Sequence, residues 1–64
     1  MPHKFILGQL VAFTPPSGTY APPGNYVVTA KLPERDSEFE YHIGHASELH
    51  ERVAEESELR EARQ

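Results

Sequence analysis

Sixty-four residues, no cysteine and a net charge of −4 set narrow bounds on this chain. It has room for one domain, burying only about 60% of its unfolded surface, with no disulfide or thiolate zinc site to brace it. Six Lys and Arg against ten Asp and Glu leave no basic footprint of the kind phosphate contacts require, which argues against DNA, RNA and anionic lipid as partners.

The chain opens Met1-Pro2-His3-Lys4-Phe5-Ile6-Leu7-Gly8. One lysine before a very short apolar run, with no small-residue cleavage site, predicts neither a signal peptide nor a membrane span. The cytoplasm is therefore the expected location. Residues 4–13 read as a first strand region, with Phe5, Leu7, Val11 and Phe13 on one parity and Ile6, Leu10 and Ala12 on the other. Gly8 interrupts it and predicts a bend or bulge.

Residues 14–24 form a long loop. Pro15, Pro16, Pro22 and Pro23 each remove a backbone donor, so no strand ladder can run through it. Long ordered loops in compact domains are frequently binding loops. Pro23-Gly24 is a turn that launches the next strand.

Residues 25–43 carry the clearest pattern. Tyr26, Val28, Ala30 and Leu32 alternate on one side, Phe39, Tyr41 and Ile43 do the same, and Pro33-Glu34-Arg35-Asp36-Ser37 supplies the turn. A period of two on both runs predicts a β-hairpin with one buried face. A second turn is expected at Gly44-His45-Ala46-Ser47-Glu48. The tail is rich in Glu, Ala and Arg, which favours helix. Its apolar phase fails, however: Leu49 and Val53 share a helical face, but Leu59 and Ala62 fall opposite. The better reading is a short strand over 51–54, a helical turn over 57–59 capped by Ser57, and a frayed end over 58–64.

A lone hairpin is marginal in water, so the first strand and the Val53 segment must cover its apolar face. Closing them into a barrel would also remove exposed edges. The order of strand, long loop, hairpin, short strand and helical turn resembles an SH3-like small barrel, the architecture also used by KOW-type modules. Gly8-x-x-Val11-x-Phe13, Gly24-x-Tyr26-x-Val28, Tyr41-x-Ile43 and the stretch Glu51-Arg52-Val53-Ala54-Glu55-Glu56-Ser57-Glu58-Leu59 carry the likeness. Together they also resemble a group of small uncharacterised proteins from alphaproteobacteria. The resemblance covers about 4–59, and it implies a fold without functional residues. The expected architecture is one mainly β domain over 1–64: a small antiparallel SH3-like barrel of four to five short strands with a short C-terminal helical turn.

Chemistry is sparse. His42, His45 and His50 lie near Glu40, Glu48 and Glu51, but their spacing matches no metal motif, and His42 alternates with Tyr41 and Ile43 onto the solvent face. No Gly-x-Ser-x-Gly elbow, phosphate loop or deep pocket is expected in so small a chain. No enzyme activity, cofactor or metal is therefore expected.

Phe13, Tyr20 and Tyr26, with Pro16 and Pro22, make an aromatic and proline cluster. It either lines a shallow peptide groove or lets Tyr20 fold back as a cap while the prolines stiffen the loop. The leading expectation is a non-catalytic module that binds a protein partner through this loop or through a strand edge. The alternative, from the KOW-type likeness alone, is a nucleic-acid or ribosome-associated module using Lys4, Lys31, Arg35 and Arg52, with Glu34, Asp36 and Glu38 opposing them. A small core and a first strand apolar on both faces also allow either a monomer or a weak homodimer.

Overall fold

The computed structural model describes residues 3–62. Its elements are β1 (Leu10–Phe13), β2 (Asn25–Arg35), β3 (Glu38–Gly44), β4 (Arg52–Glu55), a single 3-10 turn (Glu56–Glu58) and β5 (Leu59–Glu61). All five strands belong to one antiparallel sheet in the order β4-β3-β2-β1-β5. The sheet curls around a core of Phe5, Val11, Tyr26, Val28, Tyr41, Ile43, Ala54 and Leu59, with Phe13 and Phe39 packed against it.

The mainly antiparallel β class holds, but barrel closure does not. The edge strands are β4, four residues, and β5, three, and they do not pair with each other. Such short strands leave little ladder with which to close a ring. A separate device covers the core face of β2 and β3. Residues 4–9, expected as strand, run there as an irregular arm. Gly8, at φ +83°, completes a turn in which the Gln9 N–H donates to the Ile6 carbonyl at 3.1 Å. That turn ends the bonding to β2 at Gly8, and beyond it Phe5 reaches the core with 1% exposure.

The β2–β3 hairpin forms as expected, with two local differences. The register passes from Val28↔Ile43 to Ala30↔His42, so one extra residue on β2 makes a β-bulge at Thr29. Directly opposed residues share a face. Ala30 and Leu32, expected beside Tyr26 and Val28, therefore sit with His42 and Glu40 on the outer face. The turn is also shorter than expected. Pro33, Glu34 and Arg35 stay in β2, and a second irregularity before Arg35↔Glu38 accommodates a proline that cannot donate to a ladder. Only Asp36 and Ser37 turn, at φ 52° and 68°. A type I′ two-residue hairpin holds both central residues left-handed, the condition that favours Asp-Gly or Asn-Gly. Replacing Ser37 by Gly is expected to relieve about 1 kcal/mol of strain and to raise the melting temperature by roughly 4–8 °C. An unchanged melting curve would mean that Ser37 is unstrained there.

β2 also outruns its neighbour. β1 pairs only with residues 25–27, and Gly8 and Gln9 extend the contact to Val28. Beyond that, the β1 side of β2 meets no strand among the described residues.

The tail departs furthest from expectation. Val53 does lie in a strand, and the 3-10 turn sits one residue earlier than the predicted helical turn. Glu55 rather than Ser57 caps it: its side chain and that of Glu58 each accept the other's backbone N–H, a reciprocal capping box. Ser57 instead donates to Glu38 from both N–H and Oγ, at 3.0 and 3.1 Å. Where a frayed end was expected over 58–64, Leu59–Glu61 pairs with β1 through Phe13↔Leu59 and Val11↔Glu61. Burial of Leu59 and this pairing hold it. Residues 63 and 64 lie outside the described residues. No helix among the described residues is long and apolar enough to cross a membrane.

Candidate interaction surface

In this meander the β1–β2 loop (residues 14–24) and the β3–β4 loop (residues 45–51) emerge at the same end of the sheet, and side chains fasten them together. Tyr26 begins the joint from below. Its ring is in the core, edge-on to Phe13 at 5.4 Å, and its hydroxyl donates to the Pro22 carbonyl at 2.7 Å. Burial, the largest cause, followed by the nearby Glu48 charge, pushes its phenol above the ordinary tyrosine range. His45 lies against Tyr26 with ring centroids 4.8 Å apart, and its Nε2–H donates to the Pro23 carbonyl at 2.8 Å. Arg52 makes the second joint. Its Nε and Nη2 fork onto both Glu48 oxygens at 2.9 and 2.8 Å, and Nη2 also donates to the Tyr20 carbonyl at 3.1 Å. The Arg52 hydrogen bonds hold the Glu48 carboxyl below its usual range.

These ties present two unsupported apolar side chains. Tyr20 is 78% exposed and Leu49 99% exposed. Next to Leu49 lies an open depression of about 410 Å³ lined by Glu48, Leu49, His50, Glu51 and Arg52. Exposed large hydrophobics held on anchored loops carry an entropic advantage for binding, because part of the ordering has already occurred.

Of the five loop residues singled out from sequence, the structure leaves Tyr20 and Pro16 exposed and Pro22 half-buried. Phe13 is half-buried against the core, and Tyr26 is a core residue, 1% exposed, with no face for a partner. The high exposure of Tyr20 also removes its reading as a cap. Sequence reasoning missed Leu49, because one leucine in a polar loop carries no periodic signal. It also missed the pairing of His45 and Arg52 with the proline loop, a contact between residues far apart in the chain.

The cationic candidates do not converge. Arg35 lies at the β2–β3 turn, opposite Glu38. Arg52 sits at the other end of the sheet, opposite Ile43 and neutralised by Glu48. Lys4 is on the arm, its Nζ 5.7 Å from the Phe5 ring centroid. Lys31, exposed, opposes Tyr41. The histidines are likewise separate: His42 Nδ1 is 2.9 Å from Glu51 Oε1, His45 joins the loops, and His50 lines the depression. Hydrogen bonds from His42, then from Thr29, hold the Glu51 carboxyl below its usual range. Among the described residues no three His, Asp or Glu side chains converge on a metal-sized site.

What the fold defines is a class no finer than an all-β protein on a single open antiparallel sheet. Comparison with protein families, curated proteins and solved structures finds no match to the chain.

Proposed function

We propose that this protein is a non-catalytic interaction module that binds a protein partner through the surface joined by the 14–24 and 45–51 loops. The observation that carries the reading is the pair Tyr20 and Leu49. Both carry large apolar surface, both are largely exposed, and both sit on loops pinned by Arg52 and His45. Aromatic and aliphatic anchors of this kind dominate the energetics of protein interfaces. The framework is read as an SH3-like small barrel that stops short of closure, supported by the element order and by the 3-10 turn before the last strand. A protein partner is favoured over nucleic acid by the net charge of −4 and by the dispersal of Lys4, Lys31, Arg35 and Arg52.

The test is quantitative capture from native lysate on the immobilised domain, compared among wild type, Tyr20→Ala and Leu49→Ala. A partner retained by wild type is expected to fall at least tenfold on either variant, a loss of about 1.4 kcal/mol, with the melting temperature unchanged. Undiminished capture by both variants overturns the reading. Capture that vanishes on nuclease treatment or moderate salt replaces it with the nucleic-acid alternative.

A further inference from the structure

The depression beside Leu49 holds the permanent charge of the surface that the two loops build. Residues 14–24 contain no Asp, Glu, Lys or Arg. The acidic residues of the second loop are Glu48 and Glu51, Arg52 follows them, and all three line the depression. Two carboxylates against one guanidinium leave one negative charge in excess. Arg52 lies on both oxygens of Glu48, so those two cancel as a pair and Glu51 carries the remainder. Both carboxyls stay ionised at neutral pH, because hydrogen bonds from Arg52 and from His42 hold them below their usual range.

A carboxylate offers about four acceptor positions. Arg52 fills two on Glu48. The His42 ring and the Thr29 side chain fill two on Glu51. Each carboxylate therefore keeps acceptors for a further donor, and Leu49, 99% exposed, supplies apolar surface beside them.

We propose that this depression receives an arginine side chain of the protein partner, with its alkyl stem along Leu49 and its guanidinium on Glu51 and the spare acceptors of Glu48. The proposal deepens the interaction reading and rests on it for the partner being a protein. Arginine suits the site better than lysine. Its planar fork presents five donors in a geometry that matches carboxylates and is more weakly hydrated than an ammonium, and its stem covers apolar surface while the charge stays at the rim. An acidic side chain would meet two carboxylates and a guanidinium already matched by Glu48. A wholly apolar one would face the uncompensated charge of Glu51. The net charge of −4 draws a basic partner in from a distance, which raises on-rate and selectivity more than affinity.

The test uses the full chain and two fragments of matched shape and different charge, n-propylguanidinium and N-propylurea. NMR reads the Leu49 methyls and the amides of residues 48–52 at about pH 8, where an ordinary histidine is uncharged. Propylguanidinium is expected to shift these signals and to bind roughly three- to fivefold tighter than propylurea, the scale of an exposed ion pair. That advantage is expected to fade at high salt and to vanish in Glu51→Gln. Glu34→Gln, which removes the same charge from the hairpin end of β2, is expected to keep it. Equal affinity for the two fragments overturns the proposal and makes the depression an apolar site. An absence of shifts at residues 48–52 also overturns it, as does an equal loss in both variants, which assigns the preference to overall charge. The interaction reading fails separately. Undiminished capture by Tyr20→Ala and Leu49→Ala overturns that reading while a charge-selective site stands. Equal fragment binding beside diminished capture overturns the arginine and leaves the reading in place.

Discussion

Phe5→Ala is expected to lower stability by about 3–5 kcal/mol, although Phe5 belongs to no strand. The residue is 1% exposed and meets Tyr41 edge-on, with ring centroids 5.6 Å apart. Truncating a buried phenylalanine costs about 3–5 kcal/mol, combining lost transfer energy with the cavity left behind. A 64-residue domain has a total stability of roughly 3–10 kcal/mol at the usual per-residue range, so the loss takes a large share of it. Neighbouring residues offer no rescue, since Ile6 and Leu7 on the same arm point largely to solvent. Urea unfolding followed by circular dichroism measures this directly. A midpoint within a few tenths molar of wild type would show that the arm is an appendage and that the core closes without it.

Tyr41→Phe is expected to cost about 1–3 kcal/mol while leaving the packing of its ring intact, and to flatten the acid limb of the stability curve. The Tyr41 hydroxyl accepts from the backbone N–H groups of Lys4 and Phe5, at 3.0 and 3.2 Å, and donates to Glu56 Oε2. Glu56 in turn accepts from the Lys4 N–H at 2.9 Å. Removing one oxygen strands the buried Phe5 N–H and strips a charge-assisted bond, worth about 1–3 kcal/mol together with its desolvation penalty.

The pH dependence follows from the same cluster. Burial pushes the Glu56 carboxyl up, but the Tyr41 hydroxyl, the Lys4 N–H and the Lys4 and His3 charges outweigh it and hold the group below its ordinary value. Burial, and then the hydrogen bond to Glu56, raise the Tyr41 phenol. A carboxylate depressed in the folded state binds protons less readily there than in the unfolded chain. Its contribution is complete above the unfolded value and is lost as pH falls through the folded one. Wild type should therefore lose stability through that acid window, and Tyr41→Phe should lose less of it. Glu48 and Glu51, also depressed but open to solvent and remote from Tyr41's hydrogen bonds, contribute equally to both proteins and fade with salt. Parallel acid limbs in the two proteins would sink the assignment.

How much of this was legible in the sequence depended on whether a signal was local. The hairpin was readable because Tyr26, Val28, Tyr41 and Ile43 obey a strict period of two. The bulge at Thr29 was not, since an extra residue leaves the pattern of residue types intact while moving Ala30 and Leu32 to the other face. Pro33 and Glu34 look like turn formers, and only the left-handed pair Asp36 and Ser37 shows where the chain reverses. Phe5 shared parity with Val11 and is indeed in the core, but it reaches there along an irregular arm. β5 had no apolar alternation to announce it: Arg60 and Glu61 enter a strand because β1 offers an open ladder beside Leu59.

At the candidate surface, the proline loop and Tyr20 were visible from composition. Tyr26, in contrast, was miscast as a contact residue even though its own alternation with Val28 placed it inside. The knot of His45, Pro23, Arg52 and Tyr20 joins positions as many as 32 residues apart. No window of sequence shows such a knot.

The overhang of β2 past β1 bears on how copies of this protein behave when crowded. A row of free strand edge is ordinarily a template on which chains recruit one another into aggregates. Here that row is spoiled along its length. Leu32 has its carbonyl taken by the His3 ring at 2.7 Å, and Lys31 and Arg35 place like charges where a second overhang would have to lie. The result is an edge long enough to support the hairpin and a poor one on which to nucleate a fibril.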